Sequence, residues 1–535
     1  MFAPRSPRTF FVSRELFVRG LGAIYLIAFV SLWIQIDGLV GSSGIAPAEK
    51  LVEAVQKAHE GNLDAGHPFW RLPTLFMFRP QDSTLDAICG VGTVLSVLLM
   101  LGCAPVLMLA GLWVLYLSLM HVSGVFLSFQ WDILLLETGF LALFFAPARL
   151  RPLWRDSRPV SRVARWLLWW LLFRLMFASG VVKLASGDES WWNLTALTFH
   201  YETQPLPTWI GWYLHQLPVG WQKLSTVIVF LTELVLPFLI FGWRTSRHLA
   251  GIAFVVLMIL IALSGNYGYF NYLTIVLCLP LFDDSFWRRR ERKTEVGTAE
   301  HRDSIESQET TFEEPRRRFA GALTWPGIAV WPAVGLIVFM SPWHLIFRTF
   351  RVAPPPNENG SVLSLYYDAG QSMARHVAPY SLINSYGLFA NMTETRPEIV
   401  VEWSEDGQAW SPYDLPWKPG DVKRAPGFVQ PHMPRLDWQL WFAALRLESY
   451  LERFPRRRNE YIATIPWLQG WIMRLFQNDA TTLKLLTENP RPDALKGPRF
   501  LRLTVFQYRF TSLGAAKWWD RDDGELIGTF RNPIQ

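Results

Sequence analysis

The chain has 535 residues, of which 50% are hydrophobic and 18% charged, against about a quarter charged in an ordinary soluble chain. Net charge is +6, and the three cysteines, Cys89, Cys103 and Cys278, all fall inside apolar runs. This balance excludes a wholly soluble protein and a disulfide or Cys-metal scaffold. The arginines cluster beside apolar runs, where they act as topology signals, so a nucleic-acid partner is excluded as well.

A helix needs about 20 mostly apolar residues to cross a bilayer. Nine runs qualify: 16–36, 83–102, 104–121, 123–146, 163–184, 222–242, 247–264, 267–284 and 322–346. The first has no small-residue cleavage signature after it and is expected to stay as a span. Arginine clusters at Arg14 and Arg19, at Arg149 to Arg165, at Arg244 and Arg247, and from Arg288 to Arg318 alternate with the spans. By the positive-inside rule they are cytoplasmic, with the N-terminus. The loop 185–221 carries Asp188, Glu189 and Glu202 with no Lys or Arg, which suits the outside.

The expected organisation is a helical membrane domain over 1–287, a charged cytoplasmic linker over 288–318, a last span within 319–350, and a soluble domain over 351–535 on the outer side. Pro354 to Gly360 reads as its tether. Strands are predicted at 396–403, 409–413 and 501–510, with a hairpin at Glu405-Asp406-Gly407, and helices at 437–452, 463–477 and 480–487. The fold class is thus a polytopic α-helical bundle followed by an α+β domain with a β-sandwich-like sheet.

Ionisable groups inside spans are costly and mark candidate sites. Gln130, Asp132 and Glu137 fall in the fourth span and Arg174 and Lys183 in the fifth. Glu233 precedes Pro237, a kink signal, in the sixth. The plain structural reading pairs Arg174 with Asp132 or Glu137 and lets Lys183 snorkel to the headgroups.

Several segments are similar to the lipase maturation factor family. They include Phe129-Gln130-Trp131-Asp132, Gly180-Val181-Val182-Lys183-Leu184, Trp191-Trp192-Asn193 and His200-Tyr201-Glu202-Thr203-Gln204-Pro205. Further on come Tyr386-Gly387-Leu388-Phe389, Lys418-Pro419-Gly420-Asp421 and Pro434-Arg435-Leu436-Asp437-Trp438-Gln439-Leu440-Trp441. Met433, Leu440 and Trp403 depart mildly from the family's usual Gln, Met and Gly. The resemblance implies a multi-pass protein of the endoplasmic reticulum membrane. It implies a chaperone role in folding and dimer assembly of secreted lipases, with the C-terminal domain in the lumen. The basic linker and short loops suggest a bacterial member, placed in the inner membrane, whose client is a lipase or another exported protein.

On this reading Trp191, Trp192, His200, Tyr201, Glu202 and Gln204 form a client-binding or structural loop, and Arg435, Asp437, Trp438 and Trp441 a C-terminal motif. Trp212 joins the candidate contacts, since aromatics supply apolar area at recognition sites. Membrane lipids are the other expected partner, and no nucleic acid, cofactor or metal is expected.

The membrane half also resembles the helical bundle of vitamin K-dependent gamma-carboxylases. That likeness puts Lys183 on the position of a catalytic base, with Arg174, Asp132 and Glu137 behind it. A folding factor and an intramembrane enzyme both remain open from sequence. A transporter lacks the expected internal repeat.

Overall fold

The computed structural model describes residues 9–61, 67–151, 159–288, 329–353, 361–487 and 496–534. Nearly all of the charged linker and the Pro-rich tether lie outside them. The chain is a multi-pass membrane protein whose apolar runs fold as helices. In order these are α1 Phe11–Val40, α2 Ala48–Glu60, α3 Asp82–Leu101, α4 Pro105–Ser123, α5 Gln130–Phe145 and α6 Arg162–Ala185. Short helices α7 Glu189–Trp192, α8 Ala196–Thr203 and α9 Trp209–His215 follow, then α10 Val219–Phe230, α11 Arg244–Ser264, α12 Phe270–Cys278, α13 Asp284–Arg288 and α14 Val330–Trp343.

Among the described residues seven helices are long and apolar enough to cross a membrane: Phe11–Val40, Asp82–Leu101, Pro105–Leu127, Arg162–Ala185, Val219–Phe241, Arg244–Ser264 and Val330–Thr349. The remaining two predicted spans correspond to α5 and to Phe270–Leu281, which are shorter. Both nevertheless run from one face of the bundle to the other. Beyond the end of α5, Arg149 grips Glu15 near the start of α1 at 2.8 and 3.0 Å. At its other end Gln130 bonds Gly387 of the C-terminal half. Ahead of α12, Asn266 bonds Gly427 and Val429, while Asp284 beyond it accepts from the Phe11 and Val12 amides.

Two faces follow. Arg14, Arg19, Arg149, Arg165 and Arg247 gather around residues 10–19, with Arg244 beside them on Asp283. This is the basic face. The C-terminal half covers the opposite, docking face.

Local chemistry explains the breaks. Gly102 ends α3 at φ +83°, a left-handed position that glycine takes without strain, and Pro105 opens α4. Glu233 lies in a π-helical turn, Leu231–Val235, ahead of Pro237, whose ring has no N–H to continue the ladder. Helices approach closely where side chains are small. A Cβ on Gly139 of α5 would sit 2.1 Å from the Tyr25 hydroxyl of α1.

The C-terminal half begins with α15 Val362–Val377. It continues with β1 Pro397–Ser404, β2 Ser411–Pro412, α16 Arg435–Arg453, α17 Pro466–Phe476, α18 Ala480–Leu483, β3 Phe500–Phe510, β4 Trp519–Arg521 and β5 Glu525–Arg531. These strands make one small antiparallel sheet centred on β3, flanked by β1 on one side and by β4 and β5 on the other. Its second layer is α16 against β1, where the sequence reading expected a sandwich-like partner. Buried residues of both halves, such as Leu21, Phe29, Trp438, Leu468 and Leu503, belong to one continuous core. The C-terminal half is therefore packed onto the bundle, where its composition and Pro-rich lead suggested a separately tethered domain.

Candidate functional site at the docking face

The carboxylate of Asp132 sits at the first turn of α5 and is fully buried. Arg435, at the start of α16, donates to it through both guanidinium ends, at 2.7 and 2.9 Å. The hydroxyls of Tyr116 and Tyr269 each lie 2.6 Å from Oδ1. Arg435 also donates to the Phe126 carbonyl at 3.1 Å, and its backbone N–H to Gln35 at 3.0 Å. A buried ion pair persists only when its remaining hydrogen-bonding capacity is filled, and this one is filled on the carboxylate side. The partner expected for an intramembrane carboxylate was Arg174. For Asp132 it comes from the C-terminal half.

Arg174 pairs with Glu137, one of its two predicted partners. Here too the C-terminal half closes the cluster. Glu137 accepts from the Asn384 backbone and side chain at 2.9 and 3.0 Å and from the Tyr386 hydroxyl at 2.7 Å, while Arg174 donates to the Asn384 carbonyl at 2.9 Å.

Lys183 does not snorkel. It is buried, and its ammonium donates to Glu233 at 2.7 Å and to the Ser179 carbonyl at 3.0 Å, beneath the Trp191 ring. Lys183, Asp132, Glu137 and Arg174 thus sit in three separate buried pairs rather than around one reaction centre.

The loop 185–221 folds as three short helices under the C-terminal half. Arg396 caps it, donating to the carbonyls of Glu202 at 2.6 Å, Pro205 at 2.9 Å and Gln204. Arg396 and Lys418 both pair with the buried Glu398. Gln204 bonds Tyr201, Ser264 and the Tyr267 hydroxyl, which also reaches His200 at 3.2 Å. Glu202 accepts from the Phe510 amide at 2.9 Å. These are the contacts of a shaped, load-sharing loop. Of the five tryptophans expected as contacts, Trp191, Trp212, Trp438 and Trp441 are buried and Trp192, at 62% exposure, offers an open face.

Among the titratable groups at the interface, His200 and Asp437 are displaced from their ordinary values. His200 is pushed down to about 4 by burial and then by the nearby Lys183 charge. Asp437 accepts from the Trp417 and Lys418 amides at 3.0 and 3.2 Å, yet burial pushes it up to about 7.

Between the two halves lies a cavity of about 510 Å³. The start of α5, the end of α8, the irregular stretch 387–393 and α16 line it. Gln130, His200, Gln204, Trp438 and Trp441 reach its wall, whereas Asp132, Glu137, Arg174 and Lys183 do not. Among the described residues no group of three or more His, Cys, Asp or Glu is placed to hold a metal.

Sequence reasoning gave no site role to Asn384, Arg396 and Glu398, and read Tyr386 and Lys418 only as parts of family-like segments. His432 faces Ser31 of α1 at 2.9 Å, and Ser31 in turn accepts from the Met433 amide. The conspicuous signal was charge inside an apolar or strand-like run, as at Arg396-Pro397-Glu398.

Two family models match the chain. Residues 12–289 fit the lipase maturation factor transmembrane domain and residues 382–527 the lipase maturation factor C-terminal domain. The chain is 37% identical to lipase maturation factor 2 of Gallus gallus over 97% of its own length and 80% of that protein. It is 34% identical to lipase maturation factor 2 of Homo sapiens over 95% and 81%. To lipase maturation factor 1 of Mus musculus it is 30% identical over 98% and 88%. No solved structure matches. Nothing in these matches supports the gamma-carboxylase likeness.

Proposed function

The chain belongs to the lipase maturation factor family, and on that premise we propose that it is a membrane-bound maturation factor for secreted lipases or other exported proteins. The single observation that carries this reading is the docking face. The buried carboxylates Asp132 and Glu137 hold the C-terminal half through Arg435, Asn384 and Tyr386, and Arg396, itself paired with Glu398, holds the loop 185–221, so the parts form one composite surface over the ends of the spans. A rigid composite surface loses little conformational entropy when it engages a partner.

The surface lies opposite the basic face. We take the basic face as cytoplasmic and the client surface as exposed outside, in the periplasm of a bacterial inner membrane or the equivalent lumen. Exposed Trp192, Trp209 and Tyr213 are its candidate client contacts, with membrane lipids at its rim. A photoreactive amino acid at Trp192 tests this reading. Crosslinks to an unfolded lipase during export support it, and crosslinks to lipid alone overturn that contact.

A further inference from the structure

The cavity between the halves has a chemistry of its own. Its floor is aromatic, formed by Phe129, Trp131, Trp438, Trp441 and Phe442. At about 510 Å³ it falls in the range of sites for small molecules. Several polar side chains on its wall already have partners. Gln130 is spent on Gly387, Gln204 on Tyr201, Ser264 and Tyr267, Gln439 on the Val125 carbonyl, and the Trp441 indole N–H on the Thr203 carbonyl. The indole N–H groups of Trp131 and Trp438 have no acceptor, but both are buried within the wall, with their rings edge to face at 4.9 Å. The wall is mainly aromatic and aliphatic, which suits the hydrocarbon chain of a guest.

Charge is one-sided. No Asp or Glu lines the cavity. Arg446 stands exposed at its mouth with Asn391 and Ser128, and holds no ion pair or hydrogen bond to any described residue. His200, kept neutral by burial, adds no charge within.

We propose that this cavity binds a single-chain amphiphile with an anionic head, its chain against the aromatic floor and its head at Arg446. The proposal stands whether or not the maturation reading holds, since it needs no client. A long-chain fatty acid and an anionic lysophospholipid share this chemistry.

The test is photolabelling of the full-length protein in nanodiscs with a diazirine-bearing long-chain fatty acid, mapped by mass spectrometry. The exposed apolar stripe of α11, with Ile252, Val256, Ile259 and Leu263, serves as the lipid-facing reference. Label is expected on 387–393 and 438–446. Arg446→Gln should reduce it there by about threefold, the weight of an exposed charge pair, with the α11 label unchanged. Ala390→Trp, which puts an indole into the cavity, should remove it. Unlabelled oleate or lysophosphatidate should compete, naming the source, and oleyl alcohol should compete poorly. Label confined to α11 and other lipid-facing helices overturns the proposal. So does cavity label that neither variant changes, or capture of a photoreactive apolar peptide there with no fatty-acid label.

Discussion

Arg435 on α16 and Asp132 on α5 lie 303 residues apart in sequence and meet as a bidentate pair at 2.7 and 2.9 Å, both fully buried. The bond ties the C-terminal half to the membrane bundle at its centre. Arg435→Met leaves a buried carboxylate uncompensated, at a cost of about 3–5 kcal/mol. Protease sensitivity of the C-terminal half in nanodiscs should rise sharply. The double variant Arg435→Met with Asp132→Asn should recover much of the loss, because neither partner is then left charged. Equal sensitivity of the single and double variants would contradict this account of the pair.

Tyr386→Phe removes the hydroxyl that donates to the buried Glu137 carboxylate and keeps the ring. A bond to a charged group contributes about 1.5–3 kcal/mol, so a loss of that size is expected in thermal or denaturant unfolding. Tyr386→Phe at wild-type stability would show that Asn384 and Arg174 suffice to hold Glu137.

Lys183→Met leaves Glu233 unpaired beside the π-helical turn and should lower abundance in the membrane. Lys183→Met with Glu233→Gln should restore it, together with function. If the double variant is abundant but inactive, Lys183 does chemistry that the ion pair conceals.

Stability should depend on pH through His432. Burial, and then the Arg435 charge, push it down to about 4, against an ordinary value near 6.5. The native state resists taking up its proton, so this contribution is complete above about 6.5 and is lost as pH falls towards 4. In His432→Gln the decline in stability between those values should be shallower, as differential unfolding across a pH series would record.

Asp437 has the opposite sign. Its folded value, about 7, lies above the unfolded one, so the native state holds the proton more tightly. The stability it contributes is present below about 4 and is lost as pH rises through 7. Asp437→Asn keeps an acceptor for the Trp417 and Lys418 amides. It should be more stable than the wild type at pH 7, and the advantage should fade at pH 4.

The helices were legible because an apolar run of span length has few other ways to satisfy its backbone in lipid. Strands β1 and β3 were legible from their period and from the Glu405-Asp406-Gly407 turn. The Arg174–Glu137 pair was within reach because both residues lie on adjacent predicted spans. The Asp132–Arg435 and Lys183–Glu233 pairs were not, since no local pattern links a span residue to a partner on a helix 303 or 50 positions away. The docking of the C-terminal half was hidden for the same reason. Its composition is that of a soluble domain because the face it buries is polar and ionic as much as apolar. Helices α2, α7, α8, α9 and α15 were missed because they are short or amphipathic and lie between the strong apolar signals.

The central claim is tested most directly by the specific activity of secreted lipase. The gene is deleted in its own host, and lipase activity and lipase mass in the exported fraction are measured together. The account predicts that activity per unit mass falls and that the wild-type chain restores it. Unchanged activity per unit mass in the deletion strain would contradict the maturation role for those lipases.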